Sequence, residues 1–581
     1  MTYPYIFDTL SSATGKMLDD NFNYANAYVD TNINVAIKFV NNIAALRALL
    51  KTGSPSAFAL GYYTKGDGGG GEFYYDNQDT TSADNGGTII VANDGGRWKS
   101  VNIDHVTLAQ FGVKGDGSDD TARAQAALSW GASANRIIYG GIQCVTITSG
   151  ITVAGPGLIF DIVPYGGTAN DPGIKVTGTG YTGVTVTGAK FIRLTVWGNA
   201  QTVNGVLFSN PQALKECHLR VYNIDGFGCK INRSWDCLFN TISVELCGNA
   251  SEYAFSMNDD GDTCNMTHIL RLQVEQSNQK AIFVSPNTLC CVIDNIHSER
   301  TTPAAGVITW YLGGARCLYN SARLNSNEPS TNATLYISAA HSQYNTLVTE
   351  FGIVTKLDVY SNASITFIEP DFAGVTSAVT NQTGFINVIG GILANLNSDA
   401  YVWRVEGTKI TLLTIGYSAN DPQKARFINC NITTLASAST QSAATFNTCI
   451  IGTHGNLLEG ITVLNNTTVN NGGSSTLALS YRTLYAYGST INAPIVVDNG
   501  KILGFDTVFN GSMNQSAGPM TSTFNEGCYS TGAVFNLGIL TGGTNYLGMY
   551  TKNMAPAVGS PKGWICSAAG TPGTWTSTGN L

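Results

Sequence analysis

The chain has 581 residues, 12% of them charged, and a formal net charge of −8. Because a single compact core rarely exceeds ~250–300 residues, this length predicts several domains or an elongated fold that grows along one axis. The 65 glycines and abundant Asn, Ser and Thr are typical of short strands joined by tight turns rather than a helical bundle, and the acidic balance argues against a nucleic-acid partner.

Residues 1–50 form a first segment that we expect to be helical. The start "MTYPYIFDTLSSATGKMLDD" has no basic stretch followed by an apolar core. No stretch of the chain approaches the ~18 apolar residues of a membrane helix, so we expect cytoplasmic synthesis and no membrane insertion. Residues 17–50 lack Gly and Pro and carry apolar residues at helical intervals, which predicts one or two helices.

A glycine-rich block follows, and we assign residues 51–104 to a small β module. Its aromatic and β-branched runs lie in "GYYTKGDGGGGEFYYDNQD" and "TIIVANDGGRWKSV". The run "GDGGGG" lacks the GK[ST] ending of a phosphate loop, and no helical pattern follows it. It therefore predicts a hairpin.

Three aspartates lie beside two glycines in "FGVKGDGSDDTARAQAAL", residues 111–128. Asp119 or Asp120 is well placed to cap a helix that begins in "TARAQAALSW", and Gly115 and Gly117 provide the turn. A helix here would cover the open end of the strands that follow. We interpret the cluster as structural rather than catalytic.

From about residue 140 the chain repeats one strand pattern, which predicts a parallel β-helix over residues 105–375. The segments "IRLTVW", "CHLRVY", "NTISVE", "LRLQVE", "DNIHSE", "NSARLN" and "NTLVTE" align at intervals of 25, 23, 30, 24, 26 and 25 residues. The alignment places the following residues in one outward column: Trp197, Tyr222, Glu245, Glu275, Glu299, Asn325 and Glu350.

Strand alternation predicts which side chains of the repeat are buried. Pairs such as Ile242 with Val244 and Leu272 with Val274 would point inward. Two further columns support the alignment. Eight residues before the outward column that contains Glu245 lie Cys237, Cys291, Cys317 and Ser342. Five residues before it lie Asn240, Asn320 and Asn345.

The 13 cysteines lie mostly in apolar segments, which predicts reduced, buried thiols. No CxxC spacing occurs, so we predict neither a metal site nor a cofactor. Past about residue 375 the strands lie nearer to twenty residues apart. We interpret residues 376–581 as a second, C-terminal β-structure that forms between chains, and we expect it to serve trimerisation and carbohydrate binding.

Three segments resemble bacteriophage tailspike proteins. The run "FGVKGDGSDDTARAQAAL" is similar to the opening of the pectate-lyase-like β-helix domain in tailspikes and polysaccharide depolymerases. The glycine-rich block resembles a module that precedes that domain, and "GSPKGWICSAAGTPGTWTSTGNL" resembles tailspike C-terminal segments. The resemblance implies an all-β, right-handed parallel β-helix. It also implies a homotrimer in the virion tail, attached through its N-terminus to a tail or baseplate protein, that degrades capsule or O-antigen at the host surface.

The column Glu245, Glu275 and Glu299 is our candidate catalytic site. Neighbouring strands lie ~4.8 Å apart, so adjacent carboxyls would be about 5 Å apart and the outer two about 10 Å. Glycoside hydrolysis uses two carboxyls at ~5–5.5 Å for retention or ~6.5–9.5 Å for inversion. Stacked like charges would raise the pKa of at least one member. We assign Glu275 as the acid and Glu245 or Glu299 as base or nucleophile.

Aromatic and basic residues next to this column predict a sugar-binding groove. We expect substrate contacts from Trp197, Arg220, Tyr222, His297, Arg300 and Arg323. The longer interval between Glu245 and Glu275 contains "SMNDDGDTC", so Asp259, Asp260 and Asp262 are candidates for a second carboxylate or for cation binding. A fallback site contains Glu350, Asp358, Glu369 and Asp371.

Three functions compete for this sequence. The first is an endo-glycosidase, and the second is a polysaccharide lyase on the same fold, for which His297, Arg271, Lys280 or Arg300 would supply the base or neutralise a uronate. The third is an adhesin that holds the glycan without cutting it. Serine hydrolase chemistry is disfavoured because no GxSxG motif occurs.

Overall fold

The chain divides into two compact units, Met1–Ile224 and Asp225–Leu581. Among the described residues, no helix has the length and apolarity needed to cross a bilayer. The computed structural model describes residues 37–50, 54–140, 144–155, 157–162, 173–201, 203–257, 260, 263–302, 307–326, 333–349, 353–359, 364–372, 375–377, 385–397, 402–415, 425–437, 443–454, 461–470, 477–480, 483–498, 501–510, 513–517, 521–524, 529–530, 550–552, 558–568 and 574–580.

The first unit begins with a five-stranded sheet packed on helix α1 (Ile43–Ala48). The helix starts at Asn42, whose side chain accepts a hydrogen bond from the Ala45 N–H. The first pair of strands is parallel and the rest are antiparallel. In sheet order the strands are Lys38–Val40, Ser56–Ala59, Gly71–Asp76, Arg97–Ser100 and Ile89–Val91.

The residues before position 51 pack with this module. Ile43 and Leu46 share a buried core with Phe73 and Trp98. Residues 38–40 form a strand because they pair with Ser56–Ala59, so the prediction of helix across residues 17–50 is wrong at this point. The rest of that helical prediction, over residues 17–36, lies outside the described residues.

The "GDGGGG" run is organised by its own aspartate. The Asp67 carboxylate accepts hydrogen bonds from the backbone N–H groups of Tyr62, Tyr63, Thr64 and Gly69. Burial opposes ionisation of this carboxyl, but the four bonds lower its pKa on balance. These four loop donors are occupied, in agreement with a hairpin rather than a phosphate loop.

Helix α2 (Thr121–Ala134) confirms the helix expected after the aspartate cluster. Asp120 is the N-cap residue, but its buried carboxylate accepts bonds from the Lys114 and Gly115 N–H groups instead of from the helix. Asp119 accepts the Thr121 N–H. Gly115 and Gly117 have φ of 66° and 91°. The cluster therefore shapes the turn and the helix start.

Parallel strands follow α2 in the first unit. Gln125 of the helix exchanges hydrogen bonds with the backbone of Thr152 in the first coil. One ladder contains His105–Thr107, Ile137–Tyr139, Ile159–Ile162, Phe191–Gln201 and Glu216–Ile224. A second contains Val145–Ile147 and Ile174–Val176 and joins Phe191–Gln201, and a third contains Ile151–Ala154, Thr182–Gly188 and Asn204–Ser209.

The second unit is built from parallel coils that stack in three ladders, which confirms the predicted parallel β-helix. Ladder one contains Cys229–Asn232, Phe255–Met257, Ile282–Val284, Trp310–Ala315, Thr334–Ala340, Val354–Val359 and Val375–Ser377. Ladder two contains Leu238–Phe239, His268–Ile269, Val292–Ile293, Leu318–Tyr319, Ser342–Asn345, Ser364–Ile368, Phe385–Ile389, Val402–Glu406, Ala425–Ile428, Ala444–Asn447, Ile461–Asn465, Thr483–Tyr487, Lys501–Phe505 and Thr521–Phe524.

Ladder three completes each coil. It contains Thr241–Cys247, Leu272–Glu275, Ile296–Thr301, Ala322–Ser326, Leu347–Thr349, Asp371–Phe372, Ile392–Asn397, Lys409–Ile415, Asn431–Ser437, Ile450–His454, Thr468–Val469, Thr490–Ile491, Val508–Phe509 and Tyr529–Ser530. Ladders two and three both continue past residue 376, so the C-terminal part that we interpret as a second structure extends the same coils up to Ser530.

Two shorter groups of strands complete the second unit. Leu477–Ser480, Ile495–Asp498 and Met513–Ala517 form a parallel group. The antiparallel strands near the C-terminus are Tyr550–Lys552, Gly563–Ala568 and Thr574–Ser577.

A recurring turn shapes the coils of the second unit. A residue with positive φ is followed by a buried Cys, Ser or Thr whose side chain donates to the carbonyl two residues earlier. At the start of ladder two, Cys237 donates to Trp235 O and Cys291 donates to Leu289 O. Cys317 and Ser342 make the same bond, and their column is buried as predicted.

Asparagine side chains also stack between coils, in the column that contains Asn320 and Asn345 in the alignment. The Asn345 amide donates to Asn320 Oδ1 at 3.0 Å, and the Asn320 amide donates to Asp294. Later coils repeat the arrangement, with Asn465 bonded to Asn447 at 2.6 Å. These bonds link successive coils on the outside of the turn.

Candidate functional site

The three glutamates of the candidate site lie in register on ladder three. Glu245 is the strand partner of Glu275, and Glu275 is the partner of Glu299. All three side chains are half-buried. The repeat alignment therefore predicts their placement correctly.

The coil interior fixes the direction in which this column points. Ile242, Leu272 and Ile296 are buried, and so are Val244 and Val274. Because side chains alternate along a strand, the glutamates point outward.

A sharp turn follows each glutamate. Leu246, Gln276 and Arg300 have φ of 53°, 51° and 53°. The next residues, Cys247, Ser277 and Thr301, are buried. Cys247 Sγ donates to Glu245 O, and the Ser277 and Thr301 hydroxyls lie 3.1 Å apart. The column is thus held at the end of the ladder, where the coil changes direction.

Glu275 and Glu299 have different polar neighbours. The neutral Gln273 amide donates to Glu275 Oε1, and Arg271 donates to Gln273 Oε1 at 3.1 Å. His297 Nε2 lies 3.4 Å from Glu299 Oε2. Arg300 Nε lies 3.9 Å from the other Glu299 oxygen. Glu299 therefore has two basic side chains within 3.9 Å, and Glu275 accepts a hydrogen bond from an amide.

One oxygen of Glu275, one ring nitrogen of His297 and one oxygen of Glu299 all lie within 4.8 Å of one another. The 4.8 Å limit applies to one oxygen of each carboxyl, and it agrees with the ~5–5.5 Å separation of the two carboxyls in retaining glycosidases. The same three side chains could also ligate a cation, since histidine nitrogen and carboxylate oxygen are common metal ligands.

A second outward column runs beside the glutamates. Ser243, Gln273, His297 and Arg323 are successive strand partners. Arg323 is exposed, and His297 is half-buried. Three of the expected substrate-binding residues, His297, Arg300 and Arg323, are therefore next to the glutamates, on the same strands or one coil away.

The predicted aromatic platform lies in the first unit. Trp197 and Tyr222 are strand partners, and their rings stack with centroids 6.2 Å apart at 20°. Arg220 lies over the Tyr222 ring at 5.3 Å, and Lys175 Nζ lies over the Trp197 ring at 5.0 Å. The sequence alignment missed Lys175. A groove that joins this platform to the glutamates of the second unit stays a prediction.

The aspartate loop has one described candidate. Asp260 Oδ2 accepts a bond from Arg233 Nε at 3.0 Å, so this carboxylate is ion-paired. Asp259 and Asp262 lie outside the described residues, and so does Glu350. In the fallback group, Glu369 and Asp371 are exposed. Asp358 is the strand partner of Ser338.

A second group of aromatic side chains lies on ladder one of the same unit. Phe283, Tyr311 and Tyr336 are successive strand partners, and Tyr253 lies beside Phe283. The sequence reasoning missed this group because the repeat was aligned on ladder three. The recurrence of Phe283, Tyr311 and Tyr336 at intervals of 28 and 25 residues is the signal that was present.

Residues 39–103 match the family model of the small four-stranded β-sheet domain of phage tail proteins. The matched segment covers the strands of the small module and helix α1. The resemblance to phage tail proteins is therefore confirmed for this part of the chain. No curated protein shows a significant match.

Solved structures similar to this chain include three phage proteins. Full-length tailspike protein 2 from Escherichia coli O157:H7 bacteriophage CAB120 is 12% identical with a TM-score of 0.27, and the match covers 89% of this chain and 54% of that one. The tailspike of Acinetobacter phage vB_ApiP_P1 is 12% identical with a TM-score of 0.26, over 93% and 90%. Tailspike gp49 from Acinetobacter baumannii bacteriophage Fri1, a capsular polysaccharide depolymerase, is 16% identical with a TM-score of 0.24, over 85% and 75%. The chain thus spans about half the length of the first of these proteins.

Proposed function

We propose that this chain is a phage tailspike that binds a bacterial surface polysaccharide and cuts it as an endo-glycosidase. The observation that carries the proposal is the in-register column of Glu245, Glu275 and Glu299, with oxygens of the last two within 4.8 Å of a common histidine nitrogen and of each other. The phage tail domain at residues 39–103 supports the virion location and attachment through the N-terminal part. Homotrimer assembly is part of the proposal.

The short separation of Glu275 and Glu299 favours a retaining mechanism. Glu275 donates a proton to the glycosidic oxygen while a Glu299 oxygen bonds to the anomeric carbon and the leaving sugar departs. Water then attacks that carbon, Glu275 takes the water proton, and the bond to Glu299 breaks. Glu299 suits the nucleophile because His297 and Arg300 lie beside it. Gln273 orients Glu275.

Single Glu→Gln variants at positions 245, 275 and 299 test this proposal. Each is incubated with purified capsular polysaccharides and O-antigens, and new reducing ends, polymer size and binding are measured. The expected result is loss of cleavage with retained binding for Glu275→Gln and Glu299→Gln. If all three variants keep full activity, the assigned site is wrong. The configuration of the new reducing end, read by proton NMR before it mutarotates, separates retention from inversion.

A lyase is the second candidate, because His297 and Arg323 are strand partners beside the carboxylates. On a uronate-containing polymer, Arg323 would neutralise the sugar carboxylate and His297 would remove the proton next to it. The electron pair forms the C4–C5 double bond, the C4–O glycosidic bond breaks, and the leaving oxygen takes a proton from water. The product would then be an unsaturated uronate that absorbs in the near ultraviolet, whereas hydrolysis creates no such absorption. A polymer that is bound but never shortened would instead identify an adhesin.

A further inference from the structure

We propose that Tyr253, Phe283, Tyr311 and Tyr336, which we call the aromatic tract, form a second saccharide-binding surface. It would hold a linear segment of the polysaccharide along the direction in which the coils stack. The inference rests on the proposed function, since it takes the substrate to be a polysaccharide.

The tract is continuous across four coils. The ring centroids lie 5.3 Å apart from Tyr253 to Phe283, 4.9 Å from Phe283 to Tyr311 and 5.1 Å from Tyr311 to Tyr336. All four side chains are half-buried, so part of each ring is available to a ligand. The spacing is close to that of neighbouring strands. The tract thus offers one aromatic surface per coil.

Tyr253 is fixed at one end of the tract. Its hydroxyl donates to the Ile308 carbonyl at 3.0 Å. Burial raises the pKa of Tyr253 to about 12, so the hydroxyl keeps its proton at neutral and mildly alkaline pH. A ring held in this way loses little conformational freedom when a ligand stacks on it, which favours affinity.

Basic side chains accompany the rings. Lys280 Nζ lies 5.1 Å from the Tyr253 ring centroid and donates to Ser251 O at 3.1 Å. Lys230 is the strand partner of Ser256, and Ser256 is the strand partner of Phe283, so Lys230 lies in the same column as the tract. Its Nζ lies 3.2 Å from Glu252 Oε2. An ammonium has three donors, which suit the hydroxyls and carboxylates of sugars. A sugar lying across the exposed parts of these rings would contact apolar surface, and the amines would bond its hydroxyls.

The width of the tract favours a glycan over a protein. Two residues away from Tyr311 are Thr309 and Gly313, and two residues away from Tyr336 are Thr334 and Ser338; none has a large side chain, and Thr309, Gly313 and Ser338 are buried. The tract is therefore one large side chain wide. A stable protein interface typically covers about 800 Å² on each partner, which needs a broader apolar surface.

The tract and the glutamates lie on different strands of the same coils. After Glu275 the chain turns and enters Ile282–Val284, and after Glu299 it enters Trp310–Ala315. A glycan on the tract therefore need not occupy the cleavage site. The tract would retain the polymer near the enzyme and raise the effective concentration of cleavable bonds.

The test uses the full chain carrying Glu275→Gln, so that the polymer is not cut. An array of purified capsular polysaccharides and O-antigens first identifies a polymer that this protein retains, and that polymer is the probe in affinity electrophoresis. The double variant Phe283→Leu/Tyr311→Leu removes two rings but keeps apolar bulk. Tyr487→Leu is the matched control, because Tyr487 stacks on Phe505 at 5.1 Å in a later coil.

The expected result is retention about tenfold weaker in the double variant, which corresponds to about 1.4 kcal/mol for the contacts of the two rings with the polymer, and unchanged retention in Tyr487→Leu. Thermal unfolding of both proteins checks that they are folded. Equal retention by the double variant and its parent would overturn the aromatic tract while the proposed function stands. A difference in molar mass between the double variant and its parent in light scattering would show that the tract forms contacts between copies of the chain. This result would also overturn the proposal. If the wild-type chain binds and cuts no polymer, the proposed function fails first.

Discussion

The early coils (residues 229–377) and the late coils (residues 385–530) of the second unit share one interior and differ in their surface. In both, ladders two and three bury aliphatic residues, and a positive φ precedes a buried Cys, Ser or Thr. Cys430, Thr467 and Ser489 in the late coils make the same bond to the carbonyl two residues earlier that Cys247 makes beside Glu245. The scaffold is therefore common to both regions.

The outward residues separate the two regions. On ladder three the column of Ser243, Gln273, His297 and Arg323, which lies beside the glutamates of the early coils, continues in the late coils as Lys409, Asn431, Ile450 and Thr468. The early coils also have the strands of ladder one, where the aromatic tract lies. The two regions show that core packing restricts the side chains that point inward, whereas the side chains that point outward can vary and provide functional residues.

The largest expected effect is on the rate of cleavage, which should depend on a glutamate of the early coils but not on one of the late coils. Glu275→Gln removes the proposed acid, and because such a group contributes about 10²–10⁴-fold to a rate, cleavage should fall by that factor. Glu406→Gln is the matched control, since Glu406 also precedes a positive φ and a buried Thr408 that donates to its carbonyl. Initial rates of reducing-end formation measure both variants. Equal losses in the two would contradict a functional difference between the regions.

The second prediction concerns the shared interior. Leu272 and Leu413 are both fully buried in ladder three, one in each region. Replacing either with Ala leaves a cavity and should lower the free energy of unfolding by about 2–5 kcal/mol. Urea unfolding followed by circular dichroism measures the loss. A large loss in one region with none in the other would show that the two sets of coils are packed differently.

The third prediction concerns the buried hydroxyls at the turns. Ser277 lies beneath the glutamate column and pairs with Thr301, and Thr467 in the late coils accepts the Cys449 N–H at 3.2 Å. Because each change leaves a buried partner unsatisfied, Ser277→Ala and Thr467→Ala should each cost about 1–3 kcal/mol of stability. Only Ser277→Ala should also slow cleavage, through displacement of Glu275. Comparable slowing by Thr467→Ala would argue against this positional role.

The smallest expected effect is a gain. Met266 and Thr448 are exposed and have φ of 49° and 54°, a conformation that costs a residue with a side chain about 1–2 kcal/mol. Glycine removes this strain but loses more entropy on folding, so we expect Met266→Gly and Thr448→Gly to gain about 0.5–1 kcal/mol. The midpoint of thermal unfolding measures the change. The gain should be larger for Thr448, because its side chain is β-branched; a lower midpoint for either would contradict the argument.

The sequence by itself determined the parallel coils, the helix after the aspartate cluster and the register of Glu245, Glu275 and Glu299. These features depend on periodicity along one strand and on local capping, which are visible in a single chain. Thr267 is buried and lies between Cys237 and Cys291 in the same column. The alignment did not include it because its side chain differs from cysteine.

Only the tertiary structure decided the strand at Lys38–Val40, the continuation of ladders two and three past residue 376, and the aromatic tract. Pairing with Ser56–Ala59 overrides the helical pattern at residues 38–40, since a strand is stabilised by a partner distant in sequence. The tract joins Tyr253, which precedes a strand, to rings within the next strands. Which side chains meet between coils depends on the length and direction of every turn, and a repeat interval does not contain that information.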